Sequence, residues 1–133
     1  MKFTLDWLKD HLDTSENLNT ITDTLTNIGL EIESVEDKSE IFKNFTVAKV
    51  LKAEKHPDAD KLKVCQVETI NGNYQVVCGA PNAREGMLGI FAPENSYIPG
   101  TDLHLKKTKI RGVESCGMLV SEREMGISNE HDG

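Results

Sequence analysis

The sequence predicts an α+β protein in which a small helical lead segment is followed by a small closed β-barrel. Apolar residues recur at helical spacing only in the first 30 positions. Beyond residue 40 they form short alternating or β-branched runs divided by Gly, Pro and Asn. A chain of 133 residues and 14.8 kDa holds about one typical domain of roughly 100–150 residues, or two small ones. That excludes a doubly wound nucleotide-binding domain joined to a substrate domain. Leu, Ile, Val and Phe supply 34 of the 133 residues, above the roughly 20% below which a chain stays disordered.

The lead segment reads as helix, helix, strand. Leu5, Leu8 and Leu12 lie on one helical face, with Thr4 as N-cap and Asp6 in the first turn, where the helix dipole favours a carboxylate. Trp7 is expected to pack beside them. A second helix aligns Ile21, Leu25 and Ile28, with Asn17 as cap and Gly29 just past the end, where a left-handed residue is wanted. Leu30 and Ile32 then alternate with Glu31 and Glu33, a half-buried strand. The run Glu-Asp-Lys-Ser-Glu at 36–40 reads as a polar linker, so the expected units are 1–38 and 39–133. The first is too small to bury a core unaided.

Six strand-like runs follow: Phe45 to Leu51, Leu62 to Val67, Tyr74 to Cys78, Leu88 to Ala92, Leu103 to Ile110 and Met118 to Ser121. Asn71-Gly72 predicts a type I′ hairpin, which requires positive φ at both central residues. Pro93, Pro99-Gly100 and the segment from Gly112 to Gly117 separate the later runs. Five or six short strands in about 80 residues with no helical period among them fit a closed barrel of the oligonucleotide-binding kind better than a small sandwich.

The longest nearly apolar stretch, Met87 to Pro93, is far below the roughly 18–20 residues of a membrane helix, and the first residues lack the apolar core of an export signal. Cys65, Cys78 and Cys116 are an odd count without a C-x-x-C pair, so reduced thiols in a cytoplasmic protein are expected. The net charge of −7 is unevenly spread: residues 1–40 carry −7, residues 41–112 carry +4 and residues 113–133 carry −4. A partner bearing phosphates therefore fits the middle of the chain alone.

Candidate chemistry is sparse. His56-Pro57-Asp58-Ala59-Asp60 gathers an imidazole and two carboxylates, a pattern shared by metal sites and ordinary turns, and the turn is the better reading. His131-Asp132 resembles half of a phosphohydrolase motif but reads as a solvated tail. No Gly-x-Ser-x-Gly, Walker or dinucleotide glycine pattern occurs, so no catalytic residue and no metal ligand is assigned. The chain reads as a binding module. Lys106-Lys107-Thr108-Lys109-Ile110-Arg111 is either a solvated strand face or a phosphate-contacting strip leading into a glycine-flanked loop.

Three motifs then carry a resemblance. His56-Pro57-Asp58-Ala59-Asp60-Lys61-Leu62-Lys63-Val64-Cys65-Gln66-Val67, Val76-Val77-Cys78-Gly79-Ala80-Pro81-Asn82 and Ile110-Arg111-Gly112-Val113-Glu114-Ser115-Cys116-Gly117-Met118-Leu119 resemble, in order, the EMAP-type tRNA-binding domain. Met1 to Asp13, Ile28 to Val35 and Ser121 to Ser128 resemble the amino-terminal region of the bacterial phenylalanyl-tRNA synthetase β subunits. The resemblance spans essentially the whole chain. It implies a five-stranded oligonucleotide-binding (OB) barrel with added elements behind the lead segment. It also implies tRNA as partner, together with the synthetase α subunit and the remaining β-subunit domains in an α2β2 tetramer.

For the full enzyme the resemblance implies phenylalanine–tRNA ligase activity with ATP and Mg2+, while the 133-residue stretch is expected to be non-catalytic and to need no cofactor. Because the family's β subunit is several times longer, the barrel unit is expected to be cut short at its C-terminal end. The site residues implied are Asn82, Lys106, Lys107, Lys109, Arg111, Ser115 and Met118. Ser115 would donate to a phosphate or ribose and Met118 would lie against a base, or Met118 would only fill the barrel mouth. Aromatic residues make up 5% of the chain, and only Tyr74, Phe91 and Tyr97 are stacking candidates, with Phe91 expected in the core; recognition of tRNA shape is favoured over base reading. Two alternatives stay open: a free-standing dimeric tRNA-binding protein, and a protein-interaction module within the synthetase.

Overall fold

The structure, a computed structural model, describes residues 1–130, so His131-Asp132 lies outside the described residues. The chain divides into two compact units, Met1–Asp37 and Lys38–Gly133.

In the first unit, α1 (Leu5–His11) is capped by Thr4, whose hydroxyl accepts from the Trp7 amide at 3.1 Å. In α2 (Leu18–Asn27) the Asn17 side chain accepts from the Thr20 amide at 2.9 Å. Its far end is a Schellman motif: the Leu30 amide donates to the Leu25 carbonyl and the Gly29 amide to that of Thr26, with Gly29 at φ 98°. Both caps and the stop residue are those expected from sequence. Two expectations fail. Trp7 is 56% exposed, its ring edge-on to His11 rather than packed among the leucines. Leu30 and Ile32 form no strand, and Leu30 is 59% exposed. Alternation supplies a face but not a ladder, and no other segment of Met1–Asp37 is a strand that could pair with it.

The second unit opens with a single helical turn, α3 (Ser39–Phe42), which begins inside the expected linker. The strands then follow in order: β1 (Thr46–His56), β2 (Ala59–Thr69), β3 (Gly72–Cys78), β4 (Leu88–Pro93), β5 (Tyr97–Ile98), β6 (Leu103–His104), β7 (Thr108–Ile110), β8 (Val113–Ser115) and β9 (Gly117–Val120). Five of them form one antiparallel sheet in the order β3-β2-β1-β4-β9. The expected run Leu103 to Ile110 is two short strands instead. β6 pairs with β5 and β7 with β8, outside the main sheet.

Alternation places Ala48 and Val50 of β1, Cys65 and Val67 of β2, Val76 and Cys78 of β3 and Phe91 of β4 in one buried cluster with Ala83. Leu51 is an extra residue opposite the continuous Gln66–Val67 pair, and a second irregularity falls between Lys55 and His56. Such bulges bend and twist a strand, which curls the sheet until its outer strands meet.

That meeting line is a seam of few bonds. The Cys116 amide donates to the Gln75 carbonyl at 2.9 Å and the Gln75 side-chain amide to the Glu114 carbonyl at 2.9 Å. The Val77 amide donates to Ser115 Oγ at 3.1 Å, and that hydroxyl donates onward to the Gly117 carbonyl at 3.0 Å. The result is a small barrel of the oligonucleotide-binding type, closed in part by a serine side chain. Ser115→Ala removes both bonds and leaves a buried amide without a partner, which costs about 1–3 kcal/mol. A fall of the melting temperature by at least about 4 °C is expected, and calorimetry of the whole chain measures it.

The two tight turns exchange the geometry expected of them. Between Thr69 and Gly72 the tip residues are Ile70 and Asn71, and only Gly72 has positive φ, at 125°. The Thr69 hydroxyl holds this turn by accepting from the Asn71 amide and donating to the Gly72 carbonyl. The type I′ signature lies instead between Ile110 and Val113, where Arg111 has φ 47° and Gly112 φ 84°.

Candidate nucleic-acid interface

The basic strip begins at an anchored point. Leu105 exchanges two backbone hydrogen bonds with the 95–96 segment, its amide donating to the Ser96 carbonyl and its carbonyl accepting from the Asn95 amide, each at 2.8 Å. From there the chain runs out through exposed Lys106 and Lys107 into the β7–β8 hairpin. Lys109 stands opposite Glu114 in the ladder. Lys107 Nζ lies 2.7 Å from Glu114 Oε1. Their shared hydrogen bond raises the Lys107 pKa and lowers that of Glu114. Both groups are solvated, so the pair adds little stability. Its consequence is electrostatic: Lys107 offers a phosphate a partly neutralised charge, while Lys106, Lys109 and Arg111 have no ion-pair partner among the described residues.

Arg111 sits at the hairpin tip with the backbone of a left-handed residue, a conformation that costs a non-glycine residue of order ~1 kcal/mol. What this achieves is placement, because a fork-shaped cation stands at the apex of a two-residue turn.

The other expected site residues are distributed differently. Ser115 is 2% exposed and its hydroxyl is committed to the seam, so direct donation to a phosphate or ribose is corrected to a role in holding β8 against β3. Met118 is half-buried on β9 opposite Ala92, and its neighbour Leu119 packs on the core from the alternate face. Asn82 lies in the loop between β3 and β4, its side-chain oxygen buried and without a hydrogen-bond partner. Lys63 holds that loop from both sides, its ammonium donating to the carbonyls of Pro81 and Ala83. Among the described residues no hydrogen bond or ion pair joins Asn82 or Met118 to the strip. The strip is thus one contiguous element, with Ser115 opposite Thr108 in the same hairpin and with Asn82 and Met118 on other elements, the β3–β4 loop and β9.

Of the stacking candidates, Phe91 is buried and Tyr74 stacks on it at 4.9 Å, so both belong to the core side. Tyr97 remains partly exposed, its hydroxyl donating to Asp102 at 2.7 Å. So little free aromatic surface leaves few platforms on which a base could stack.

The contacts of two residues escaped the sequence reading. Glu114 faces the lysines only once the register is known, although recognising Arg111-Gly112 as the turn would have given that register. His56 is the other. It is 4% exposed, its Nε2 lies 2.9 Å from the Ile110 carbonyl and its Nδ1 accepts from the Asp58 amide at 3.0 Å. Its partner is 54 positions away in the chain, and no local pattern could show that.

Residues 45–133 match the family model described as "Putative tRNA binding domain". The chain belongs to this tRNA-binding domain family. The phenylalanine–tRNA ligase beta subunit of Bradyrhizobium diazoefficiens is 56% identical over 135 residues, that of Ruegeria pomeroyi 54% over 133 and that of Mesorhizobium japonicum 58% over 135. Each alignment covers 100% of this chain and 17% of the relative, so the chain spans about a sixth of the length of these relatives. Among solved structures, a MetRS related protein from Pyrococcus horikoshii is 32% identical, covering 65% of this chain and 76% of that one at a TM-score of 0.47.

Within this tRNA-binding domain the three cysteines are free. Burial first, then the neighbouring Cys78, pushes the Cys65 thiol up to about 11, and burial raises Cys78 and Cys116 as well. Only the thiolate reacts. At pH 8 a thiol reagent is therefore expected to modify half-buried Cys116 first and to reach Cys65 and Cys78 only in denaturant. Mass spectrometry of the labelled chain checks the order.

Proposed function

We propose that this chain is the tRNA-binding region of a phenylalanine–tRNA ligase β subunit and that it helps engage tRNA during aminoacylation in the cytoplasm. The observation that carries the reading is the extent of the similarity. Relatives bearing that name match the entire chain, including residues 1–44, which lie ahead of the span matched by the domain family. A lead segment shared with the ligase subunits favours them over a free-standing dimeric binding protein. The lead unit, 1–38, and the barrel unit, 39–133, then divide the work, and binding falls to the second.

Lys106, Lys109 and Arg111 contact phosphates, Lys107 contributes less because Glu114 holds it, and Ser115 keeps the hairpin on the barrel. Met118 and Asn82 contribute from β9 and from the loop between β3 and β4. Formation of the aminoacyl ester, with its ATP and Mg2+, belongs to the α subunit and the other β-subunit domains of an α2β2 assembly. We assign neither group to residues of this chain, which spans about a sixth of the length of those relatives. Few unpaired cations make for weak intrinsic binding, which suffices where other contacts raise the effective concentration.

The test is a fluorescence anisotropy titration of a phenylalanine tRNA with the purified chain at low salt. Saturable binding is expected. A flat titration with a correctly folded chain overturns the reading and favours the protein-interaction module.

A further inference from the structure

The β7–β8 hairpin has only three residues in each strand and stands outside the main sheet. A two-stranded ribbon of that length does not hold its own shape in water, so its orientation depends on what ties it down. The β8 side is tied at Glu114, Ser115 and Cys116, through the seam to β3. The β7 side, which carries Lys109 and leads into Arg111, is anchored upstream at Leu105 and has one tie of its own. Among the described residues, the only hydrogen bond from β7 to anything beyond its partner strand is the one between His56 Nε2 and the Ile110 carbonyl.

His56 is built for that task. It closes β1, next to the second irregularity in the β1–β2 register, and is almost wholly buried. Its two nitrogens have opposite roles. Because Nδ1 accepts the Asp58 amide hydrogen, the proton of the neutral ring sits on Nε2 and is donated to Ile110. The turn at Pro57-Asp58 thereby fixes the tautomer, and the tautomer fixes the hairpin. Ile110 immediately precedes the two positive-φ residues Arg111 and Gly112, so a bond to its carbonyl restrains the start of the turn that presents the arginine.

We propose that His56 is a positioning residue for tRNA binding: through the Ile110 carbonyl it orients the β7–turn segment so that Lys109 and Arg111 meet phosphates together. It touches no tRNA itself. The proposal rests on the tRNA-binding reading and extends it, because it links the His-Pro-Asp turn of the first hairpin to the cationic tip of another. Ordering a tip in advance lowers the entropy lost on binding, and the advantage exists only while the cations are there to use it.

The experiment is a thermodynamic cycle on the whole chain with a phenylalanine tRNA transcript at fixed low salt. His56→Phe keeps a planar ring without the nitrogens, and His56→Gln keeps a neutral N–H donor of similar reach. Expected is a loss of affinity of about 3- to 10-fold for His56→Phe, the size of coupling found between residues that share one network. His56→Gln is expected to stay within about two-fold of the unaltered chain by the same reasoning. In a background carrying Lys109→Ala and Arg111→Ala, His56→Phe should add less than about a two-fold loss, since its effect passes through those side chains.

Circular dichroism confirms that each variant is folded. His56→Asn, polar but too short to span to Ile110, replaces His56→Phe if the latter does not fold. Unchanged affinity in a folded His56→Phe chain overturns the proposal, as does the same fold-loss with and without Lys109 and Arg111. Failure of all three substitutions to fold would show a support for the whole barrel and overturn the specific role. If the unaltered chain itself binds no tRNA, the tRNA-binding reading is what fails.

Discussion

Gly117→Ala is expected to destabilise the barrel by about 3 kcal/mol or more, the range reached when strain and overpacking coincide. Gly117 has φ 149°, and a Cβ there would stand 2.5 Å from the Ala92 carbonyl oxygen and 2.6 and 2.7 Å from two carbons of the Phe91 ring. Neither neighbour can retreat. Ala92 is held in the ladder opposite Met118, and Phe91 is 2% exposed at the centre of the core. Gly86 is the control, with φ 80° and nothing within 4 Å of its added Cβ. Gly86→Ala carries only the conformational cost, about 1 kcal/mol. Thermal unfolding of both variants separates clash from backbone strain. Equal melting temperatures for the two would contradict the packing described at the seam.

Replacing Lys106, Lys109 and Arg111 together with alanine is expected to weaken tRNA binding by about 10- to 100-fold at low salt, since the three phosphate contacts we propose would be lost at once. Lys107→Ala should do least of the four, because its ammonium is already held by Glu114 at 2.7 Å. Glu114→Gln is the opposite arm. It removes a carboxylate from beside Lys107 and Lys109 and should tighten binding by a few-fold, about the effect of one net charge near a phosphate backbone. A general loss of affinity through misfolding cannot produce that gain. Anisotropy titrations with one tRNA preparation, run side by side, compare these three variants with the unaltered chain. Equal affinities across the set would show the strip to be a solvated face.

Legibility followed the range of the interaction. Thr4, Asn17 and Gly29 act within four residues of their positions, and the caps and the Schellman stop appear where the sequence puts them. The strands of the main sheet were readable too, β1 and the end of β2 through period-two burial and the others through short apolar runs bounded by turn residues, because both signals are local. Leu30 and Ile32 have the same alternation and no strand, since pairing needs a partner that alternation cannot supply. Asn71-Gly72 has the composition of a type I′ turn, but the Thr69 hydroxyl stabilises a different one. Arg111-Gly112 adopts the primed geometry without the Asn or Asp that announces it.

The candidate site was legible as a run of charges, while the hydrogen bonds around it were not. Ser115 reads as an exposed loop serine and is a seam residue, because burial depends on β3 arriving 38 positions away in sequence. His56 reads as a turn or metal motif, and only folding brings Ile110 to its ring.

The central claim is that this barrel binds tRNA through the few unpaired cations of one strip, and the salt dependence of binding tests it most directly. Each phosphate neutralised contributes about 0.7 to 0.9 to the slope of log affinity against log salt, so Lys106, Lys109 and Arg111 together predict a slope of about −2 to −3 for the unaltered chain. The triple alanine variant should be nearly flat. A steep slope that survives the triple substitution, or a flat slope in the unaltered chain, would contradict the account.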